Sequence, residues 1–135
     1  MIVADTNVLS EIMRANPDRR VVAWMSARED ITITAVTVGE TWAGIQVMPE
    51  GRRRNGFAEV AQRLFDAHAG EILPYDDRAA VAYSRIVADR RAIGCPTGQA
   101  DAMIAGICLA NGCDLATRNV KDFADIGLTI VNPWE

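Results

Sequence analysis

The chain opens on the apolar residues Ile2-Val3-Ala4, stops at Asp5-Thr6-Asn7, and then places Val8, Leu9, Ile12 and Met13 at helical spacing. This pattern predicts a short buried strand that ends at a carboxylate and turns at once into a helix. Asn16-Pro17 ends that helix at Ala15, because proline disfavours helix in the residue before it. Asp18 reads as the cap of a second helix, with Val21, Val22, Trp24 and Met25 turned inward. Ile31-Thr32-Ile33-Thr34 is β-branched throughout and short, hence a strand. Thr37-Val38-Gly39-Glu40 opens a helix carrying Trp42, Ile45 and Val47, which Pro49-Glu50-Gly51 breaks.

From Arg52 the apolar set Phe57, Val60, Ala61, Leu64 and Phe65 marks one face of a further helix. Ile72-Leu73-Pro74 suits a short extended link or an edge strand, where proline is tolerated. Asp76-Asp77 caps a long helix to about Ala92, with Ala79, Tyr83, Ile86 and Val87 inward. Gly94 to Gly98 is a loop, and Gln99 to Asn111 a helix closed by Gly112. Asp114 to Thr117 predicts a strand, Arg118-Asn119 a turn, and Ile130-Val131 a last strand. Strands alternating with helices specify an α/β sandwich, a small central parallel sheet flanked by helices. No repeat, low-complexity stretch or linker interrupts residues 1–135, which read as one domain.

Composition narrows the function. The 14 basic and 18 acidic residues give a net charge of −4, so bulk positive charge does not hold this chain on nucleic acid. A phosphate backbone would have to be met by local arginines and a metal. The three cysteines, Cys95, Cys108 and Cys113, are odd in number and none makes a C-x-x-C pair. They read as free thiols in a reducing cytoplasm, Cys108 buried in its helix. The apolar start is interrupted at Asp5 and lacks a basic leader, so no signal peptide is expected. The run from Ala102 to Ala110 falls far short of the ~20 residues of a membrane helix.

Three acids stand out, each with an ordinary structural role available. Asp5 can cap the first helix. Glu40 completes a Thr37-x-x-Glu40 capping box. Asp101 sits in the first turn of its helix, where the dipole favours an acid and where Thr97 or Gln99 can do the capping. Their joint placement changes the balance, because each lies at the start of a helix on one side of the sheet. Three carboxylates within ~4 Å would repel by roughly 4 kcal/mol per pair at an effective dielectric of ~20. A divalent cation removes that repulsion, and all-oxygen ligation selects Mg²⁺, or Mn²⁺ in its place, over zinc. His68, far from these motifs in the chain, is not expected among the ligands.

These residues resemble a PIN domain, and within it the VapC-type toxins of the FitB-like group. The resemblance is carried by Asp5-Thr6-Asn7-Val8-Leu9-Ser10-Glu11, Val38-Gly39-Glu40, Gln99-Ala100-Asp101-Ala102-Met103-Ile104-Ala105, Leu115-Ala116-Thr117-Arg118-Asn119-Val120-Lys121-Asp122-Phe123 and Asn132-Pro133-Trp134, in order along the chain. It implies a small parallel sheet flanked by helices, a Mg²⁺-dependent ribonuclease, an antitoxin that crosses the active-site groove, and a homodimer. Carried over by position, Asp5, Glu40 and Asp101 match the principal acids, and Asn119 stands where the family often has a fourth. Asp122, one turn on, is a substitute for it, or Asn119 reaches a metal through its carbonyl or a water. Thr117 matches a hydroxyl often found beside the site.

Hydrolysis by a metal-activated water is then the expected chemistry, with Glu40 as a ligand or as the base. Thr6 and Asn7 position Asp5 or a water. Arg118 is the expected RNA contact, ahead of the Arg52-Arg53-Arg54 and Arg90-Arg91 clusters, whose ordinary reading is a solvated helix face. Trp24, Trp42 and Phe65 are divided between core and partner surfaces. Two other readings compete: a PIN-type scaffold that binds RNA or a partner without cutting, which Asn119 allows, and a phosphoacceptor signalling domain. The second lacks an acidic pair after the first strand and has its only lysine, Lys121, beyond the Thr-Arg-Asn turn.

Overall fold

A computed structural model describes all residues 1–135. The elements run β1 (Ile2–Ala4), α1 (Thr6–Ile12), α2 (Arg19–Ser26), β2 (Ile31–Thr34), α3 (Ala35–Gln46), α4 (Arg52–Ala67), β3 (Ile72–Leu73), α5 (Asp77–Ala92), α6 (Gln99–Asn111), β4 (Asp114–Ala116), a 3₁₀ turn (Val120–Phe123) and β5 (Ile130–Val131). The five strands form one sheet in the order β3-β2-β1-β4-β5, every pairing parallel. The sandwich of a central parallel sheet and flanking helices is therefore the one the pattern predicts.

β1 lies at the centre and is buried on both faces, which is why its residues are continuously apolar. Ile2 and Ala4 join a core with Val8, Leu9, Val21, Ile33, Ala61 and Phe65 on the α1–α4 side. Val3 and Leu115 face the other way, into a core with Ile86, Ile104, Ala105, Cys108 and Phe123 beneath α5 and α6. Each fully buried Val, Leu or Ile contributes roughly 1.5–3 kcal/mol by leaving water. At the α5–α6 crossing, Gly106 has no room for a side chain: a Cβ there would lie 2.6 Å from the Ala79 carbonyl oxygen. Gly112 ends α6 with φ +64, the left-handed cap expected of it.

The chain winds from β1 outward to β2 and β3, then crosses back to lay β4 on the other side of β1. The β1–β4 seam is thus a topological switch point, where the carboxyl ends of parallel strands open a crevice. Asp5 follows β1 and Thr117 follows β4.

Three local expectations need correcting. α1 spans Thr6–Ile12 rather than starting at Val8 and running to Ala15, since Asp5 caps it directly. α3 begins at Ala35, because the Thr34 hydroxyl caps it by accepting from the Thr37 N–H at 3.1 Å. Thr37 is therefore inside the helix and the Thr37/Glu40 capping box does not form. At α6 the cap is Gly98 without a side-chain bond, because the Thr97 hydroxyl is engaged by Arg90 instead. No helix is long and apolar enough to cross a membrane.

Candidate active site

Asp5 is only 2 % exposed and does two jobs. Its Oδ1 accepts from the Thr6 N–H at 2.7 Å, which caps α1, and its Oδ2 accepts from the Thr117 hydroxyl at 2.6 Å. The capping role and the role as an acid in a pocket are compatible, because each carboxylate oxygen keeps a further lone pair. Burial pushes the Asp5 carboxyl above its ordinary range; the bonds from Thr117 and Thr6 oppose this, and the charges of Glu40 and Asp122 add to it.

Thr117 is wholly buried and is the hub of this end of the sheet. Besides donating to Asp5, its oxygen accepts from Asn7 Nδ2 at 3.2 Å and from the Asn119 N–H at 3.1 Å. Asn7 Oδ1 in turn accepts from the Arg118 N–H at 3.3 Å. The first turn of α1 and the segment after β4 are thereby laced together. Glu40, in the second turn of α3, accepts from the Thr6 hydroxyl at 2.7 Å, and that hydroxyl lies 2.9 Å from the Thr37 hydroxyl. Thr6 consequently spans two acids, bonding Asp5 by its backbone and Glu40 by its side chain.

Asp101 comes in from the first turn of α6. Its carboxyl is pushed up to about 6, by burial first and then by the charges of Asp5, Asp122 and Glu40. Asp5, Thr6, Asn7, Glu40, Asp101, Arg118 and Asn119 all line one cavity of about 580 Å³. Thr117 lies buried behind Asp5, and Asp122 acts on the pocket through its charge.

The side chains are not gathered into a ready-made cage: no group of three acids, histidines or cysteines converges on one point. Mg²⁺ does not require one, since it retains several waters and is commonly held by one or two carboxylates plus substrate phosphate. An all-oxygen set of mutually repelling acids, with Asp101 raised to about 6 in part by its neighbours' charges, fits a hard divalent cation.

Sequence reasoning missed part of the cavity wall. Glu11 and Arg14 line it, the buried Glu11 accepting from Arg14 Nη1 at 3.2 Å and from the Asp18 N–H at 3.0 Å. Continuing the α1 face one turn beyond Asn7 points to Glu11, and Arg14 follows one turn further on, just past the end of the helix. Phe57, from α4, also reaches the cavity, and no local signal marks it because the approach is tertiary. Trp134 carries the Arg118 guanidinium over its ring, 5.1 Å from the centroid. Arg90 is buried, so half of the Arg90-Arg91 cluster is no surface for RNA. Its guanidinium instead donates to Thr97 Oγ1 at 3.0 Å and to the Ala124 carbonyl at 2.9 Å. Phe65 is core, while Trp24 and Trp42 are partly buried against it. Cys108 and Cys113 are buried free thiols, and Cys95 is exposed.

The PIN domain model matches residues 2–128. The chain belongs to the PIN-domain family. This PIN domain is similar to the VapC ribonuclease Y4jK of Sinorhizobium fredii, at 41% identity over 100% of this chain and 99% of the relative. It is also similar to the toxin FitB of Neisseria gonorrhoeae, at 34% identity over 99% of each chain. The crystal structure of FitAcB from Neisseria gonorrhoeae superposes with a TM-score of 0.92 at 34% identity, covering 100% of this PIN domain and 99% of that chain.

Proposed function

We propose that this PIN domain is the toxin of a toxin–antitoxin pair and a divalent-metal-dependent endoribonuclease. The observation that carries the reading is the acidic cavity at the β1–β4 switch point, where Asp5, Glu40 and Asp101 line one wall system with Asn119 and Arg118. The named relatives, a VapC ribonuclease and a FitB toxin, support it.

Asp5 and Asp101 would be the chief holders of Mg²⁺ (or Mn²⁺), with Glu40 as a further ligand and the Asn119 amide oxygen beside them. A bound divalent ion supplies Lewis acidity to the scissile phosphate and lowers the pKa of water. Thr6 holds Glu40 by its hydroxyl, so that Glu40 is aimed to accept the proton of an attacking water. The water oxygen bonds to phosphorus as the bond to the ribose oxygen breaks, and that oxygen leaves with the electron pair and takes a proton from solvent, with no covalent enzyme intermediate. Asn7 and Thr117 fix Asp5. Arg118, steadied over Trp134, binds a backbone phosphate. Asp122 tunes the field of the pocket. We read residues 1–135 as one such domain acting in the cytoplasm, where the three free thiols stay reduced, as a homodimer with a cognate antitoxin across the groove.

A second reading, a scaffold that binds RNA or a partner without cutting, draws on Asn119 and on the open spacing of the acids. Titrating Mg²⁺ and Mn²⁺ into the purified chain with total cellular RNA separates the two. Metal-dependent cleavage that is abolished in Asp5→Asn and in Asp101→Asn supports the nuclease. RNA binding with no cleavage at any metal concentration, or variants that cut as well as the native chain, would give the scaffold its place.

A further inference from the structure

On the side of Glu40 that neither Asp5 nor Asp101 lines, a cleft of about 170 Å³ opens between α1 and α3, walled also by Met13, Thr41, Ile45 and Met48. It shares Thr6, Ser10, Glu40 and Phe57 with the acidic cavity. Beyond it a third hollow, about 400 Å³, runs along Arg52 and Arg53. Phe57 is the one residue that lines all three. We propose that this cleft is a subsite for one base of single-stranded RNA, stacked on Phe57 next to the phosphate that is cut. The proposal rests on the nuclease reading and names the part of its substrate that selects where the cut falls.

Four observations converge on a base rather than on an aliphatic side chain of a partner protein. Phe57 is half-buried against the α1–α4 core, so its ring is held in place while part of it stays open. Unpaired bases stack on such rings whatever their identity. The cleft has room for one heterocycle and not for a stretch of chain. Thr41 lines it, is 9 % exposed, and carries the single buried side-chain polar atom that lacks a hydrogen-bond partner. A base edge can donate to or accept from a hydroxyl; a leucine or valine cannot. Finally, Arg53 places its guanidinium 5.7 Å from the Phe57 centroid, with Arg52 beside it in the outer hollow. A strand leaving the acids across Phe57 would meet those cations with its next phosphate, which gives the Arg52-Arg53 pair a role that the net charge of −4 does not suggest.

The test measures affinity and cut position together. Fluorescein-labelled hexamers of A, C, G and U, and an abasic hexamer, are titrated by anisotropy in EDTA, and cut ends are mapped in total RNA with Mg²⁺. The native chain is expected to rank the hexamers. Phe57→Leu, which keeps apolar bulk but removes the flat face, is expected to weaken the preferred one by roughly 5- to 100-fold while leaving the abasic hexamer unchanged. Phe57→Tyr should retain the ranking, and Thr41→Val should alter the ranking and the mapped ends. Circular dichroism melts establish that each variant is folded, and the tyrosine variant keeps the test open if leucine is not tolerated. If folded Phe57→Leu ranks and binds the hexamers as the native chain does, the subsite is overturned while the nuclease reading stands. If the native chain neither binds nor cuts RNA, both fall.

Discussion

The hydroxyl of Thr117 donates to Asp5 Oδ2 at 2.6 Å across 112 residues of sequence. The bond closes the switch point, because it joins the ends of the two adjacent parallel strands β1 and β4. It also holds down the pKa of an acid that burial raises. Thr117→Val keeps the shape and leaves Asp5 Oδ2, Asn7 Nδ2 and the Asn119 N–H without that partner. We expect a loss of roughly 1–3 kcal/mol in urea unfolding, together with weaker binding of Mn²⁺ by calorimetry. Unchanged stability and metal affinity would show that the hydroxyl is incidental.

Asp101 allows a prediction of sign. Its folded pKa, about 6, lies above the ordinary 3.8, so the folded state holds the proton more tightly than the unfolded chain does. In metal-free buffer its charge therefore costs stability at neutral pH, and the cost fades as pH falls through 6 towards 4. Asp101→Asn should melt higher than the native chain at pH 7.5, with the gap closing by about pH 4. Saturating Mg²⁺ should raise the native melting temperature at pH 7.5 and do so less below pH 6, since protons compete for the ligands. A variant that melts lower at neutral pH would contradict this electrostatic account.

Arg90 ties two acid-bearing segments together. Its buried guanidinium reaches Thr97, ahead of α6 and Asp101, and the Ala124 carbonyl, just after the 3₁₀ turn with Asp122. Arg90→Met retains the aliphatic stem and abandons those acceptors, and should destabilise by roughly 1–3 kcal/mol. Hydrogen exchange should accelerate at residues 120–124 first. Uniform exchange along the chain would count against a local staple.

Gly106→Ala tests the α5–α6 crossing. The new methyl would meet the Ala79 carbonyl at 2.6 Å and the Tyr83 nitrogen at 3.0 Å, both backbone atoms that side-chain motion cannot clear. A cost of about 1–3 kcal/mol is expected from forcing the helices apart, read as a lower denaturation midpoint at unchanged slope.

Local chemistry was sufficient for most of the architecture. Apolar Ile2-Val3-Ala4 before Asp5, the β-branched Ile31–Thr34 run and Gly112 after α6 each specify their element from neighbours alone, and strands alternating with helices leave a parallel sheet as the arrangement that buries both sets of apolar faces. Asp5, Glu40 and Asp101 were visible for the same reason, as acids beside strand ends and helix starts. Their mutual distances were not, because these depend on strand order, and β4 pairs with β1 only once the sheet is assembled. The same holds for what Thr34, Thr97 and Arg90 bond to. Sequence suggested a capping box at Thr37, a cap at Thr97 or Gln99 and an exposed arginine pair; the fold assigned Thr34 to the cap and Arg90 to Thr97. Such choices are made among competing hydrogen-bond partners of similar local merit, and the one that wins is the one packing brings within reach. Phe57 belongs wholly to that second kind: α4 carries it to the acids, and nothing within its own helix says so.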